Sequence, residues 1–259
     1  MADKKKASAD ITGVTKIADG IYSMWIKEKE MASHAKAGQF VSLYCRDGSR
    51  LLPRPISICG IDRENGILRL VYRVVGTGTK EFSLLNPGDK IEVMGPLGNG
   101  FTPEGSEILV IGGGIGIPPM LELARELSKD GTRKVQIVLG YRDILFLKEE
   151  FEPYGAVYIS TEDGSAGTKG NVIDAIKENG LCADMIYACG PTPMLRGIRD
   201  YAVEHGITAQ ISMEERMACG IGACLACVCQ SADQDPHTHV NNKRICKDGP
   251  VFYATEVTL

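Results

Sequence analysis

The feature that most limits what this chain can fold into is a set of cysteines near its C-terminus. Cys219, Cys224 and Cys227 stand in Cys-Gly-Ile-Gly-Ala-Cys-Leu-Ala-Cys, and Cys246 follows after a polar gap. Beyond Met213 only about 45 residues remain, too few for a hydrophobic core of their own. Something else must organise that tail. The spacing C-x4-C-x2-C…C is that of plant-type [2Fe–2S] centres. Each iron needs two thiolates, and three ligands on one tight loop with a fourth from a distant segment can wrap the cluster. Gly220 and Gly222 suit a loop whose amides must bend toward sulfur.

Four cysteines also build structural zinc sites, but those pair C-x2–4-C knuckles. Here three cysteines cluster and the fourth stands alone, which favours the two-iron centre. Cys229 competes with Cys227 as a ligand; the x2 spacing from Cys224 favours Cys227 and leaves Cys229 a buried free thiol. His237 and His239 lie in the polar loop and invite a Rieske reading, but that centre takes two cysteines and two histidines. With four spaced cysteines present, both histidines read as surface residues. Five of the nine cysteines fall between 219 and 246. The N-terminus carries no apolar stretch of the kind a signal peptide needs, so the expected compartment is the reducing cytoplasm. There, cysteines point to metal or redox roles rather than disulfides.

The 259 residues and 44% hydrophobic content fit two folded domains with a small appendage. A net charge of −4 offers no basic surface for nucleic acid, and Lys4-Lys5-Lys6 reads as a solvated N-terminal tail. No apolar run reaches the roughly 18 residues of a membrane span. Up to residue 103 the pattern is β-structure: short runs at 20–26, 40–45, 56–61, 67–75 and 90–94, separated by Gly, Pro, Asp and Asn. That rhythm predicts an antiparallel barrel or sandwich, interrupted by a short helix over 80–85 capped by Thr79. Between 104 and 213, strands at 107–111, 134–140, 157–161, 185–188 and 208–212 alternate with helices. The helices are expected after the glycine turn to about 129, over 171–179 and over 192–205. Alternation of this kind predicts a parallel α/β sheet. The fold class is therefore mixed: an N-terminal antiparallel barrel over 1–103, an α/β nucleotide-binding domain over 104–213, and a cluster-binding subdomain over 214–259.

Two further signals point to nucleotides. In the β-region, the Arg54 guanidinium of Arg54-Pro55-Ile56-Ser57 suits a pyrophosphate, and Ser57 suits a ring atom. Gly76-Thr77-Gly78-Thr79 precedes the short helix, where glycine-rich backbone is a ready anion site. Either segment alone is better read as a surface arginine or a simple turn. In the α/β region, Gly112-Gly113-Gly114-Ile115-Gly116 joins a strand to a helix, as a nucleotide-binding turn does, although it is not a strict GxGxxG. Cys189-Gly190-Pro191-Thr192-Pro193-Met194 follows another strand. Both fall at strand carboxyl ends, where open α/β sheets bind ligands. By charge alone the choice between NAD and NADP stays open. Glu162 and Asp163 disfavour a 2′-phosphate, whereas Arg142 favours one.

These motifs, in this order, resemble the ferredoxin–NADP reductase superfamily. The tail Glu214-Glu215-Arg216-Met217-Ala218-Cys219 onward, with Cys246-Lys247-Asp248-Gly249-Pro250-Val251-Phe252, resembles the electron-transfer subunits of dihydroorotate dehydrogenase B. So do Asp163-Gly164 and Gly167-Thr168-Lys169-Gly170. The resemblance implies FAD contacts from Arg54, Pro55, Ile56, Ser57, Val71, Tyr72, Arg73, Gly78 and Thr79. It implies NAD contacts from Gly112, Gly113, Gly114, Ile115, Gly116, Glu162, Asp163, Cys189, Gly190, Pro191 and Met194. It implies a cluster held by Cys219, Cys224, Cys227 and Cys246, and no catalytic acid–base residue. The implied partner is an FMN-containing catalytic subunit that oxidises dihydroorotate to orotate in pyrimidine biosynthesis, usually as a heterotetramer of two plus two. The small subunit of another reductase, of the NADPH:ferredoxin or sulfide dehydrogenase type, is the alternative. A zinc-stabilised binding module without turnover is a third reading. The redox order also has a physical basis. A nicotinamide takes two electrons as a hydride and a [2Fe–2S] centre passes one, so a flavin must stand between them.

Overall fold

The computed structural model describes residues 5–234 and 239–259. Six antiparallel strands close a barrel: β1 (Lys5–Ala18), β2 (Ile21–Lys27), β3 (Phe40–Tyr44), β4 (Arg54–Asp62), β5 (Ile67–Arg73) and β6 (Lys90–Leu97). Their order around the barrel is β1-β2-β5-β4-β3-β6. Alternation places Met24, Ile26, Leu43, Leu68, Leu70 and Val93 inside it. The barrel carries two short helices, α1 (Lys29–His34) and α2 (Thr77–Phe82).

Three details differ from the sequence reading. Lys5 and Lys6 are not a solvated tail. They pair with Gly95 and Met94 of β6, and their side chains form ion pairs with Glu30 and Glu92; Lys4 lies outside the described residues. The lysines hid the strand because the inward positions, Ala9 and Ile11, begin only beyond them. The helix expected over 80–85 starts three residues earlier, with Gly76 as its cap. Thr79 sits inside its first turn and turns its hydroxyl back to accept from the Val75 and Gly76 amides, at 3.0 and 3.2 Å. Helix α1 was missed; its sequence is polar, and a Glu28 carboxylate accepting from Met31 N starts it.

The second sheet has seven strands in the order β10-β9-β8-β7-β11-β12-β15. These are β7 (Glu107–Gly113), β8 (Lys134–Tyr141), β9 (Ala156–Thr161), β10 (Thr168–Lys169), β11 (Met185–Cys189), β12 (Thr208–Ser212) and β15 (Val251–Tyr253). All neighbouring pairs are parallel except β12–β15. The connecting helices are α3 (Ile117–Ser128), α4 (Lys148–Phe151), α5 (Val172–Glu178) and α6 (Thr192–His205). Strand β15 comes from the cysteine-rich tail, which also holds the hairpin β13 (Val228–Gln230) and β14 (Asn242–Arg244). The tail thus borrows the sheet edge in place of a core of its own.

Apolar side chains lock these parts together. One face of the sheet packs on α3 and on barrel residues Ile21, Cys59 and Val71. The other packs on α5, α6, the tail residues Cys227, Ile245 and Cys246, and barrel residues Phe40 and Leu97. The linker after the barrel is pinned at Thr102, whose N–H donates to Gln210 Oε1 and whose carbonyl accepts from Gln210 Nε2, both at 2.9 Å.

Candidate functional site

The structure brings the two halves of the expected flavin motif together. Arg54 begins β4 and Gly78 lies in the first turn of α2. A Cβ on Gly78 would stand 2.2 Å from Arg54 Nε, so the guanidinium lies directly on the glycine. Because the Thr79 hydroxyl takes up the amides of Val75 and Gly76, the amides left for a phosphate are those of Thr77, Gly78 and Thr79, which a first turn cannot satisfy internally. Along β5 the expected contacts diverge. Val71 packs into the joint with the sheet, Tyr72 packs into the barrel core and Arg73 is exposed. Tyr72 stacks on Tyr22 with ring centroids 6.3 Å apart and meets Phe82 edge-on. Its hydroxyl is buried without a hydrogen-bond partner among the described residues, and burial pushes the phenol up. An orphaned phenol and an arginine laid on a glycine turn in the same barrel fit a polar flavin.

The dinucleotide turn also assembles. Residues 112–116 end β7 and lead through a single 3-10 turn into α3. Cys189 ends the neighbouring β11, Gly190 follows it, and Pro191 caps α6. A Cβ on Gly113 would lie 2.3 Å from Met194 Sδ, and one on Gly190 would lie 2.3 Å from Met194 Cε. Gly114, by contrast, faces open space with φ +52°. Ile115 is half-buried beside it. Burial pushes the Cys189 thiol up to about 12, so it behaves as a neutral packing residue. Glu162 and Asp163 follow β9 on the other side of β7 and are exposed. The Ser165 hydroxyl and amide hold the Asp163 carboxyl below its ordinary value. Arg142, the residue that favoured a 2′-phosphate, pairs with Asp143 instead, at 3.6 Å.

In the tail the four cysteines fall into two pairs. The Cys219 amide donates to Cys224 Sγ at 3.4 Å, and the Cys246 amide donates to Cys227 Sγ at 3.4 Å. Ile221 N and Ala223 N donate to Cys219 Sγ at 3.4 and 3.3 Å. Among the described residues, no three His, Cys, Asp or Glu side chains stand as a ready cage for one ion. Two thiol pairs with amides aimed at sulfur match a centre whose two irons each take two thiolates. Burial acts to raise the Cys219 thiol, but bonds from Ile221, Cys224 and Ala223 outweigh it and hold it at about 6. Burial and the neighbouring Cys227 push Cys246 up to about 12. Cys229 is buried on β13, and burial raises its thiol. His239 is exposed, as expected, and His237 lies outside the described residues.

The sequence reading missed the residues that seat this loop. Arg244 Nη1 donates to the Gly222 carbonyl at 3.0 Å, and Asp248 accepts from Arg244 N at 2.8 Å. Asn99, just past the barrel, donates its amide to Gly249 O at 2.6 Å and its side chain to Asp248 O at 2.9 Å and Lys247 O at 3.4 Å. A local signal existed only for Asp248, two residues after a ligand cysteine.

Residues 110–200 match the oxidoreductase NAD-binding domain family, and residues 214–258 match the iron-sulfur cluster binding domain of dihydroorotate dehydrogenase B. A Fusobacterium nucleatum protein named dihydroorotate dehydrogenase B (NAD(+)), electron transfer subunit, is 45% identical over 255 residues, 94% of this chain and 95% of that protein. A Bacillus pumilus protein of the same name is 44% identical over 98% of this chain and 99% of its own length. A solved structure from a study of electron bifurcation by the NADH-dependent reduced ferredoxin-NADP oxidoreductase is 32% identical. It superposes with a TM-score of 0.87 over 97% of this chain and 90% of that one. The ferredoxin NADP+ reductase of Neisseria gonorrhoeae shares the fold, at 17% identity and TM-score 0.66 over 83% and 95% of the two chains. With two curated relatives at this identity over nearly its whole length, the chain belongs to the family of dihydroorotate dehydrogenase B electron-transfer subunits.

Proposed function

We propose that this chain hands to NAD+ the electrons that an FMN-containing dihydroorotate dehydrogenase subunit takes from dihydroorotate, in a cytoplasmic heterotetramer of two copies of each. When bound, a [2Fe–2S] cluster supplies one-electron transfer and FAD supplies the junction between single electrons and a hydride. Cys219, Cys224, Cys227 and Cys246 hold the cluster. Arg54, Pro55, Ile56 and Ser57, with Val71, Tyr72, Arg73, Gly78 and Thr79, line the flavin site. Residues 112–116 and 189–191, with Met194, Glu162 and Asp163, line the NAD site. In this reading residues 1–103, 104–213 and 214–259 carry the FAD, NAD and cluster sites respectively.

The observation that carries the proposal is the pairing of the four thiols, three of them on a loop packed against the flavin-type barrel. A Cβ on Gly220 would stand 3.0 Å from Ser42 Oγ of β3 and 3.5 Å from Leu97 of β6. Cys224 is exposed, and Ile221 and Leu225 form an apolar rim beside it, Leu225 at 61% exposure. An open, apolar-rimmed face next to a thiol site suits a docking electron donor.

The test is anaerobic purification followed by reconstitution. The isolated chain should contain iron, sulfide and FAD and should oxidise NADH with a dye. Dihydroorotate oxidation should appear only when the FMN subunit is added, and the complex should have the mass of a two-plus-two assembly. Cys224→Ser should abolish electron delivery from the partner and spare NADH-to-dye turnover. Dihydroorotate oxidation by the isolated chain defeats the proposal. The 32% identical bifurcating oxidoreductase structure favours a second reading, a reductase serving ferredoxin. Co-purification with a different large flavoprotein, and no stimulation by the FMN subunit, would establish that one.

A further inference from the structure

Ser42 lies in the middle of β3 and is 1% exposed, yet its hydroxyl has no hydrogen-bond partner among the described residues. A buried hydroxyl left unpaired is costly, so its partner is a group that the described residues do not provide. The surroundings say where that group lies. Ser42 pairs with Met94 of β6, and the cluster loop crosses above it at Gly220. The side chains that crowd the same glycine, Leu97 and Met94, offer no strong acceptor. Gly220 is the neighbour of Cys219, whose sulfur already collects the amides of Ile221 and Ala223. On the barrel side of the loop, Ser42 is the buried donor that faces it.

We propose that Ser42 Oγ donates a hydrogen bond to a sulfur of the cluster held by this loop, and that this bond raises the cluster's reduction potential. The inference rests on the cluster reading of the four cysteines. Reduction adds negative charge that spreads over the sulfurs, and a hydrogen bond to a more negative acceptor is stronger. A donor that strengthens in the reduced state favours reduction. Ser42 thereby couples the flavin barrel to the centre that receives electrons from the partner.

The test is an EPR-monitored redox titration of the cluster in the full chain, wild type beside Ser42→Ala and Ser42→Thr, with iron and sulfide measured on each. Ser42→Ala should retain the cluster and lower its midpoint potential by about 59 mV, a tenfold shift in the one-electron equilibrium. Ser42→Thr, which keeps the hydroxyl, should stay at the wild-type value. Equal potentials in all three proteins overturn the proposal, because a hydroxyl bonded only to the loop backbone would not move the potential. If Ser42→Ala fails to hold the cluster, Ser42→Cys, a weaker donor of similar size, should hold it at a lowered potential. An unchanged potential in that variant, or loss of the cluster there too, overturns the proposal. Wild-type protein without iron and sulfide defeats the cluster reading itself, and this inference with it.

Discussion

A methyl group on Gly116, in the dinucleotide turn, would lie 2.4 Å from the Cys189 carbonyl oxygen and 2.6 Å from Gly190 N. On Gly222, in the cluster loop, it would meet only the Lys247 side chain, at 2.9 Å, but the backbone there has φ +88°. The first glycine has an ordinary φ of −79° and is small because two strand-to-helix turns press backbone on backbone. The second is a glycine because the chain must curl left-handed to bring amides toward sulfur. Close approach makes a rigid platform beside a ligand. Positive φ makes a concave surface around one. The same residue type thus marks a packed joint in one region and a wrapped site in the other.

Gly116→Ala should break the first case and have the largest effect. Neither backbone segment can yield easily, so the cost falls in the overpacking range of about 1–3 kcal/mol. The melting temperature should drop by several degrees and NADH-to-dye turnover should fall, with iron and sulfide content unchanged. Gly222→Ala should break the second case. Left-handed strain costs about 1–2 kcal/mol at a residue with a Cβ, and it falls on the cluster loop alone. Iron and sulfide per chain should drop while NADH-to-dye turnover persists. If Gly222→Ala impairs NADH oxidation as much as Gly116→Ala does, the two regions are not separable in this way. Gly114→Ala sharpens the contrast, since Gly114 sits in the first run but has φ +52° and open space. With no neighbour to clash with, its stability cost should be the left-handed strain alone, about 1–2 kcal/mol. Its new methyl points into the cleft, so KM for NADH should rise several-fold with little change in kcat.

This division also explains what could be read from sequence. The α/β alternation was legible because each element's type is set locally: β7, β8 and β11 are runs of buried, mostly apolar residues, and α6 spans 192–205 as expected. The ligand cysteines were legible because their spacing is itself chemical. What escaped depends on contacts distant in the chain. Strand β15 is three residues long and exists only by pairing with β12. Strand β1 opens with lysines whose carboxylate partners lie at 30 and 92. Ser42 and Asn99 carry no motif; their importance comes from the tail folding back over the barrel.

The two regions also differ in how they are tied to the barrel. The cluster tail is held by Asn99, a neutral side chain donating to a backbone carbonyl. The dinucleotide domain is held by a carboxylate. Glu122 of α3, 4% exposed, accepts from Ile61 N of β4 at 3.0 Å and from Arg125 at 2.7 Å, while Arg125 also donates to Ile61 O at 2.6 Å. Burial raises the Glu122 pKa, and Arg125 only partly offsets it. A carboxyl whose folded pKa lies above its unfolded value binds more protons in the folded state. Its contribution is therefore complete below the unfolded pKa and is lost as pH rises through the raised folded value. Other carboxylates, such as half-buried Asp62 and exposed Asp130, are shifted downward and give the opposite slope, so the informative quantity is a difference. Between pH 4 and neutrality, the melting temperature of Glu122→Gln relative to wild type should rise with pH, by no more than a few degrees. Asn99→Ala should shift the melting temperature by the same amount at every pH. A pH-independent difference for Glu122→Gln would show that folding leaves the pKa of this carboxyl unshifted, and that the two ties to the barrel are alike in their response to protons.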